Sequence, residues 1–433
     1  MRLGQKIRFK IAQAATTGLS WIERSRHGVS LNLLDPALAR DPYPMYERLR
    51  SKAPVHYSIA SRAWWVTGFD LVQEVLRDKR FVVDVRTFPE RADKIRADLD
   101  DERRERFEHP SMLNRDPPDH TRLRRLVSHG FVHRYIQSLE PRIRAIVEDC
   151  LRRVDNAEAF DIVDVLARPL PAIVIAEMMG LPQSDHAQFQ TWSEDLIEAT
   201  TTNDTEKLDK GAAAENALIH YFQRIIASRR GSPSDDLVGQ LIRAEEEGDK
   251  LTERELYNTC LLLLVAGHET TTRLIGNGVY LLLEHGLWSE LRKNPARIPI
   301  AIEEMLRFEP PVQATQRFVL DDLDFHGHRM KRGDIVLVGI AAADRDPAAN
   351  VNPNLFDIHR DKVEQVSFGY GIHLCIGASL ARLEAKVAFE KLLARFPELR
   401  LCDATPEWGQ NPIFRGLRQL RVTARAARAA ASG

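Results

Sequence analysis

Residues 368–377 read Phe368-Gly369-Tyr370-Gly371-Ile372-His373-Leu374-Cys375-Ile376-Gly377. Two glycines ahead of a cysteine allow tight backbone turns that bring amide N–H groups close to the sulfur, where hydrogen bonds tune a thiolate. A helical pattern starts just after Cys375, with Leu380, Leu383 and Val387 on one apolar face, so the positive end of a helix dipole is aimed at the same sulfur. A lone cysteine is usually a small buried hydrophobe. Here six residues, Phe368, Gly369, Gly371, His373, Cys375 and Gly377, fit one pattern, Phe-Gly-x-Gly-x-His-x-Cys-x-Gly. Chance agreement anywhere in a chain of this length is below roughly one in ten thousand at average residue usage.

The sequence around this loop is that of an ordinary globular protein. It has 433 residues, 44% hydrophobic and 28% charged, with a formal net charge of −1, which removes any bulk electrostatic case for nucleic-acid binding. The ends are basic. Arg2, Lys6, Arg8, Lys10, Arg24 and Arg26 stand against Glu23 in residues 1–30, and Arg415, Arg418, Arg421, Arg425 and Arg428 lie in the last part. The expected organisation is a basic N-terminal arm over 1–30, a single domain over 31–420 and a basic Ala/Arg-rich tail over 421–433. The four cysteines, 150, 260, 375 and 402, form no CxxC pair, which excludes a zinc ribbon or dithiol site and fits a reducing, cytoplasmic setting. No run of about 18 apolar residues exists to span a membrane. Ile7, Ile11, Ala14 and Ile22 share a helical face, so membrane contact is expected to go no further than weak N-terminal association.

Most of the chain has helical periodicity, so the fold class is mainly α with minor β. Helices are predicted over 42–50, 69–77, 118–131, 138–154, 170–179, 184–199, 205–230, 235–246, 252–285, 298–308 and 376–396. Strands are expected near Ala63–Thr67, Gln316–Leu320 and Ile335–Val338. The longest helix opens on Thr252 and Glu255, a capping box, and Gly286 is placed to end it. At 1.5 Å per residue it spans about 50 Å, the width of a domain. In its middle the apolar run Leu261–Val265 gives way to Ala266-Gly267-His268-Glu269-Thr270-Thr271-Thr272. Polar groups buried in mid-helix need a reason. His268-Glu269 starts like HExxH, but position 272 is threonine, so a zinc-protease site is excluded.

Taken together, these residues resemble the cytochrome P-450 family, the haem-thiolate monooxygenases, and specifically the soluble bacterial type. The resemblance runs from about Leu34 to about Leu420. It implies a cytochrome P-450 fold with the long central helix over a buried haem b, and Cys375 as the sulfur ligand to its iron. Four further motifs carry it. Glu304-Met305-Leu306-Arg307 places an acid and an arginine on one helical face, and Arg360 resembles the third member of this structural trio. His120 and Arg124, in Asp116-Pro117-Pro118-Asp119-His120-Thr121-Arg122-Leu123-Arg124, together with Arg317 and His373, resemble the groups that hold the two haem propionates. Ala266 and Gly267 resemble the haem-facing part of the central helix, and Glu269-Thr270 the oxygen-activating acid–alcohol pair. Phe368, Gly369 and Gly377 belong to the cofactor loop. At Asp344-Arg345-Asp346-Pro347 many family members have asparagine in place of Asp344, a departure that leaves the chemistry intact.

The resemblance implies insertion of one atom of O2 into a C–H or C=C bond of a hydrophobic small molecule. No flavin or ferredoxin segment follows Cys375, so electrons from NAD(P)H are expected to arrive through a separate reductase and a ferredoxin or flavodoxin. Arg122, Arg124, Arg125 and Arg134 are candidates for a basic docking face. Pocket walls are expected from about 84–110, 190–205, Leu262 to Ala266, Pro311 to Thr315 and Pro412 to Phe414, with Arg86 or Arg91 as candidate anchors for a substrate carboxylate. Two rivals remain: a peroxide-driven haem peroxygenase, whose known kinds lack the acid–alcohol pair, and a non-catalytic haem-binding sensor, which needs no proton relay.

Overall fold

The computed structural model describes the chain except residues 1–17, 21–22, 26–27, 31–37, 39, 200–203, 232–233, 247–250, 404–405 and 426–433. The helix Glu253–Glu284 runs through the largest apolar core and packs against helices Pro169–Met178, His186–Ala199, Thr205–Arg229, Ile298–Phe308 and Ala378–Arg395. Both signals read at its ends hold. The Thr252 hydroxyl accepts from the Glu255 N–H while the Glu255 carboxylate accepts from the Thr252 N–H. Gly286, at φ +67°, turns the chain so that the Leu287 N–H reaches the Leu282 carbonyl.

The strands form a smaller layer. A five-stranded sheet has the order Val55–Ser58, Ala63–Val66, Ile335–Val338, Thr315–Val319, Phe81–Val82. Ala63–Val66 runs parallel to Ile335–Val338, and the other pairs are antiparallel. Arg317 is set opposite Val336 in this sheet, which fixes where its side chain leaves the backbone. All the predicted helices and strands are present, with ends shifted by a few residues.

Helices Pro89–Ala97 and Asp101–Glu108 were not legible. The first buries only Ala92 and the second nothing, so neither has an apolar stripe to read; Pro89 starts one and the Asp100 carboxylate caps the other.

The ends of the chain differ from the expected arm and tail. Glu23 is fully buried, 2.5 Å from His56 Nε2, and accepts from the Ile59 N–H, so part of the 1–30 arm is packed on the body. Arg421–Arg425, assigned to a free tail, is the middle strand of a sheet between Ala159–Asp161 and Glu398–Leu401. Alternation explains the miss: Val422 and the small Ala424 are all that supply the apolar face of a strand otherwise made of Arg and Thr. Arg415 is buried against Glu309, and Arg418 pairs with Glu198. The apolar face of 7, 11, 14 and 22, and Arg428, lie outside the described residues. No described helix is long and apolar enough to cross a membrane.

Candidate active site

The cysteine loop is built from backbone hydrogen bonds. The Gly369 N–H reaches the Val366 carbonyl at 2.8 Å, the Leu374 N–H the Gly371 carbonyl at 3.1 Å, and the Cys375 N–H the Phe368 carbonyl at 2.9 Å. Gly369 and Gly371 both have positive φ, +74° and +69°. A Cβ on Gly371 would stand 2.5 Å from the Leu76 carbonyl oxygen, so only glycine fits there. The helix Ala378–Arg395 then starts without a side-chain cap, and its first amides, on Gly377 and Ala378, turn to the Cys375 sulfur. Burial pushes the thiol up, while those amides, Arg124 and Arg382 oppose the shift. Cys375 is enclosed by protein on nearly all sides, yet it keeps accessible surface. Both hold if it lines an interior hollow. Ala266 shows the same sign, exposed in mid-helix between buried Leu263, Leu264, His268 and Glu269.

Four of the residues read as propionate ligands come together. The rings of His120 and His373 lie 4.3 Å apart. Burial, with the nearby charges of Arg317, His120 and Arg124, pushes His373 down to about 3, and burial brings Arg317 down to about 10. Both ring nitrogens of His120 and Nε2 of His373 are buried without a hydrogen-bond partner among the described residues. Arg124 donates to the Leu374 carbonyl at 2.7 Å, which places it over the cysteine loop. Orphaned imidazole nitrogens beside two arginines and a thiol in a hollow are what an iron porphyrin with two carboxylates would satisfy. The residues fit haem b.

Glu304, Arg307 and Arg360 form the expected trio. Arg307 grips the Glu304 carboxylate at 2.7 and 2.8 Å, Arg360 adds a contact at 3.1 Å, and Glu304 and Arg307 are fully buried. The trio lies behind the cysteine loop, since the Ser367 hydroxyl sits 2.8 Å from the carbonyl of Leu306.

On the central helix, Glu269 is buried and its Oε2 accepts from Arg273 at 2.9 Å. The Thr270 hydroxyl donates back to the Ala266 carbonyl at 3.0 Å. His268 is buried and turned to the Arg168 side. Gly267 lies against Ile175.

A family model described as cytochrome P450 matches residues 65–287 and 298–412. The chain belongs to the cytochrome P450 family. Among its curated relatives, the cytochrome P450 monooxygenase PikC of Streptomyces venezuelae is 40% identical over 417 residues, covering 93% of this chain and 95% of that one. The structure of P450BioI in complex with hexadec-9Z-enoic acid ligated acyl carrier protein matches with a TM-score of 0.83 at 36% identity, over 90% of this chain and 99% of that one. Myxobacterial CYP267B1 in complex with myristic acid gives a TM-score of 0.84 at 36% identity, over 91% and 98%. The protein is thus a P450 monooxygenase with haem b as its cofactor.

Some functional neighbours had no sequence signal. Arg273 holds the acid of the central helix and also reaches the Phe414 carbonyl at 3.3 Å; in sequence it is one more charge on a helix. Arg382 lies 4.4 Å over the Phe368 ring and is fixed by Glu303. Other candidates are occupied elsewhere. Arg86 is held by Asp84 and the Glu108 carbonyl, so it is not a substrate anchor. Arg122 is committed to Glu255 and Asp119, leaving Arg125 and Arg134 exposed from the proposed docking face.

Proposed function

We propose that this P450 inserts one oxygen atom into a C–H or C=C bond of a hydrophobic small molecule, using NAD(P)H electrons delivered by a separate reductase and a ferredoxin or flavodoxin. The chemistry that haem b supplies when bound is reductive activation of O2, one atom going to substrate and the other to water. The observation that carries the reading is the buried carboxylate of Glu269, next to Thr270, at the centre of the long helix that runs through the core. A carrier or sensor has no use for such a pair.

In this reading Cys375 would supply the sulfur that holds the haem iron, its charge held by the Gly377 and Ala378 amides. His120, Arg124, Arg317 and His373 hold the propionates. Glu269 moves protons inward after its carboxylate leaves Arg273, and the Thr270 hydroxyl, released from the Ala266 carbonyl, sets where the second proton lands. Two matched structures hold a long acyl chain, and an aliphatic chain is the first substrate class to try by spectral titration, before terpenoids and macrocycles.

The test supplies NADH, a reductase and a surrogate ferredoxin, and counts product formed and peroxide released per NADH oxidised. Wild type is expected to turn over well above its rate with hydrogen peroxide alone. Thr270→Ala should still consume oxygen but release much of it as peroxide, whereas Glu269→Gln should slow oxygen consumption itself. Unchanged coupling in Thr270→Ala means that its back-bond to Ala266 merely eases a helix bend. Efficient peroxide turnover without protein partners favours the peroxygenase.

A further inference from the structure

Asp344 ends the short helix Ile340–Asp344 and is fully buried. Its Oδ1 accepts from the Val366 N–H at 2.6 Å, and its Oδ2 lies 2.6 Å from the Ser367 hydroxyl oxygen. That hydroxyl also lies 2.8 Å from the Leu306 carbonyl oxygen. A hydroxyl has one proton to donate, so the two oxygens compete for it.

Helix geometry decides the competition. The Leu306 carbonyl would ordinarily accept from the N–H four residues on, but residue 310 is proline and has none. The Glu309 N–H is taken by the Met305 carbonyl. Leu306 is buried, so its carbonyl needs the Ser367 proton. The 2.6 Å contact between Ser367 and Asp344 then requires a proton from Asp344.

Among the described residues the one charge that favours an ionised Asp344 is Arg307, and its donors go elsewhere. From the helix Ile298–Phe308, Arg307 spends Nε and Nη2 on Glu304 and Nη1 on the backbone carbonyls of Asp344 and Pro353, and Glu303 holds Arg382. From Tyr43–Lys52, Arg50 donates to the Ala342 carbonyl and stands 3.9 Å from Asp346. From Phe69–Arg77, Glu74 meets His326 and Arg77 lies over Tyr370. Next in the chain, Arg345 donates to the Phe308 carbonyl.

We infer that Asp344 is held as a neutral carboxylic acid whose proton bonds Ser367, and that it thereby positions the cysteine loop on the end of the helix Ile298–Phe308. The two residues it grips open that loop: the Val366 carbonyl receives the Gly369 N–H, and the next residue, Phe368, receives the Cys375 N–H. Burial also pushes the Asp344 carboxyl up, to about 7. The folded value stands above the ordinary aspartate range. This contribution to stability is therefore complete at acid pH, declines as pH rises towards 7, and is gone above it. Within the folded protein, the contact with Ser367 loosens as pH passes 7, while the Val366 N–H keeps its acceptor. Asparagine offers Ser367 the same donor and cannot titrate.

The experiment compares wild type with Asp344→Asn. The infrared difference spectrum between them near pH 6 should contain a carboxylic-acid carbonyl band that disappears on alkaline titration. In the holoenzyme, loss of the thiolate spectrum of the reduced carbonyl complex should be several-fold faster near pH 9 than near pH 6 in wild type, and flat with pH in Asp344→Asn. The infrared arm needs no assumption about the ligand, while the spectral arm rests on Cys375 as the sulfur donor, so the two failures are distinguishable. Absence of the acid band near pH 6 overturns the inference. So does a wild-type pH profile in Asp344→Asn, or failure of that variant to fold and bind haem, because the amide would then not replace the neutral acid.

Discussion

Cys375 is one of four cysteines, and its surroundings rather than its identity make it the proposed ligand. Cys150 and Cys260 are buried thiols, and burial pushes both up, Cys260 to about 12, with no amide aimed at either sulfur. A thiol of that kind is inert. Cys375 has the Gly377 and Ala378 amides and two arginines that favour the anion. Cys375→Ser is expected to abolish the thiolate band of the reduced carbonyl complex, since a serine hydroxyl yields its proton far less readily. Single serine replacements of Cys150, Cys260 and Cys402 should leave it in place, and the reverse pattern in the same spectrum would remove Cys375 as the ligand. Sequence reading found this residue because the loop needs glycine at fixed places around it. It could not read the roles of Arg273 or of Asp344, which it noted only as a departure, because both depend on what stands opposite: Glu269 one turn away in one case, and Ser367 and Pro310 in the other.

At the scale of elements, legibility follows amphipathicity. Phe69–Arg77 and Glu253–Glu284 have apolar residues in helical register and clear ends, and both were placed almost to the residue. Asp101–Glu108 has Arg and Glu throughout, makes its contacts through ion pairs such as Arg106 with Glu215, and offers no period to read. The Glu304–Arg307–Arg360 trio shows the opposite case, a motif common on solvated helices that has meaning only in register with the cysteine loop. Its burial makes it costly to break. Glu304→Ala would leave the Arg307 guanidinium buried without its carboxylate, and a loss of about 3–5 kcal/mol is expected in denaturant unfolding. A loss below about 1 kcal/mol, the range of an exposed pair, would mean that water reaches the trio.

Over the whole molecule, the basic ends carry the main correction. A strand contributed by residues 421–425 closes a sheet with segments more than two hundred residues apart in sequence, Ala159–Asp161 and Glu398–Leu401. Truncation after Leu420 would strip both neighbours of their ladder partner and remove fully buried Val422, whose side chain alone accounts for about 1.5–3 kcal/mol. A clear drop in the thermal midpoint is expected, and an unchanged midpoint would restore the tail to a solvated extension.

By itself the sequence determined the helical architecture and the long central helix with its two ends, and it pointed to the proposed cysteine ligand and cofactor residues. Each rests on local requirements: an apolar period, a cap, a positive φ, or a fixed spacing on one helical face. Only the tertiary structure decided that His120 and His373 meet ring to ring beside Arg317, that Glu269 is paired with Arg273, that Arg415 is buried rather than solvated, and that Asp344 is buried against Ser367. These are facts of burial and of who stands opposite whom, and a side chain's charge, donors and neighbours across the core are fixed only when distant segments pack together.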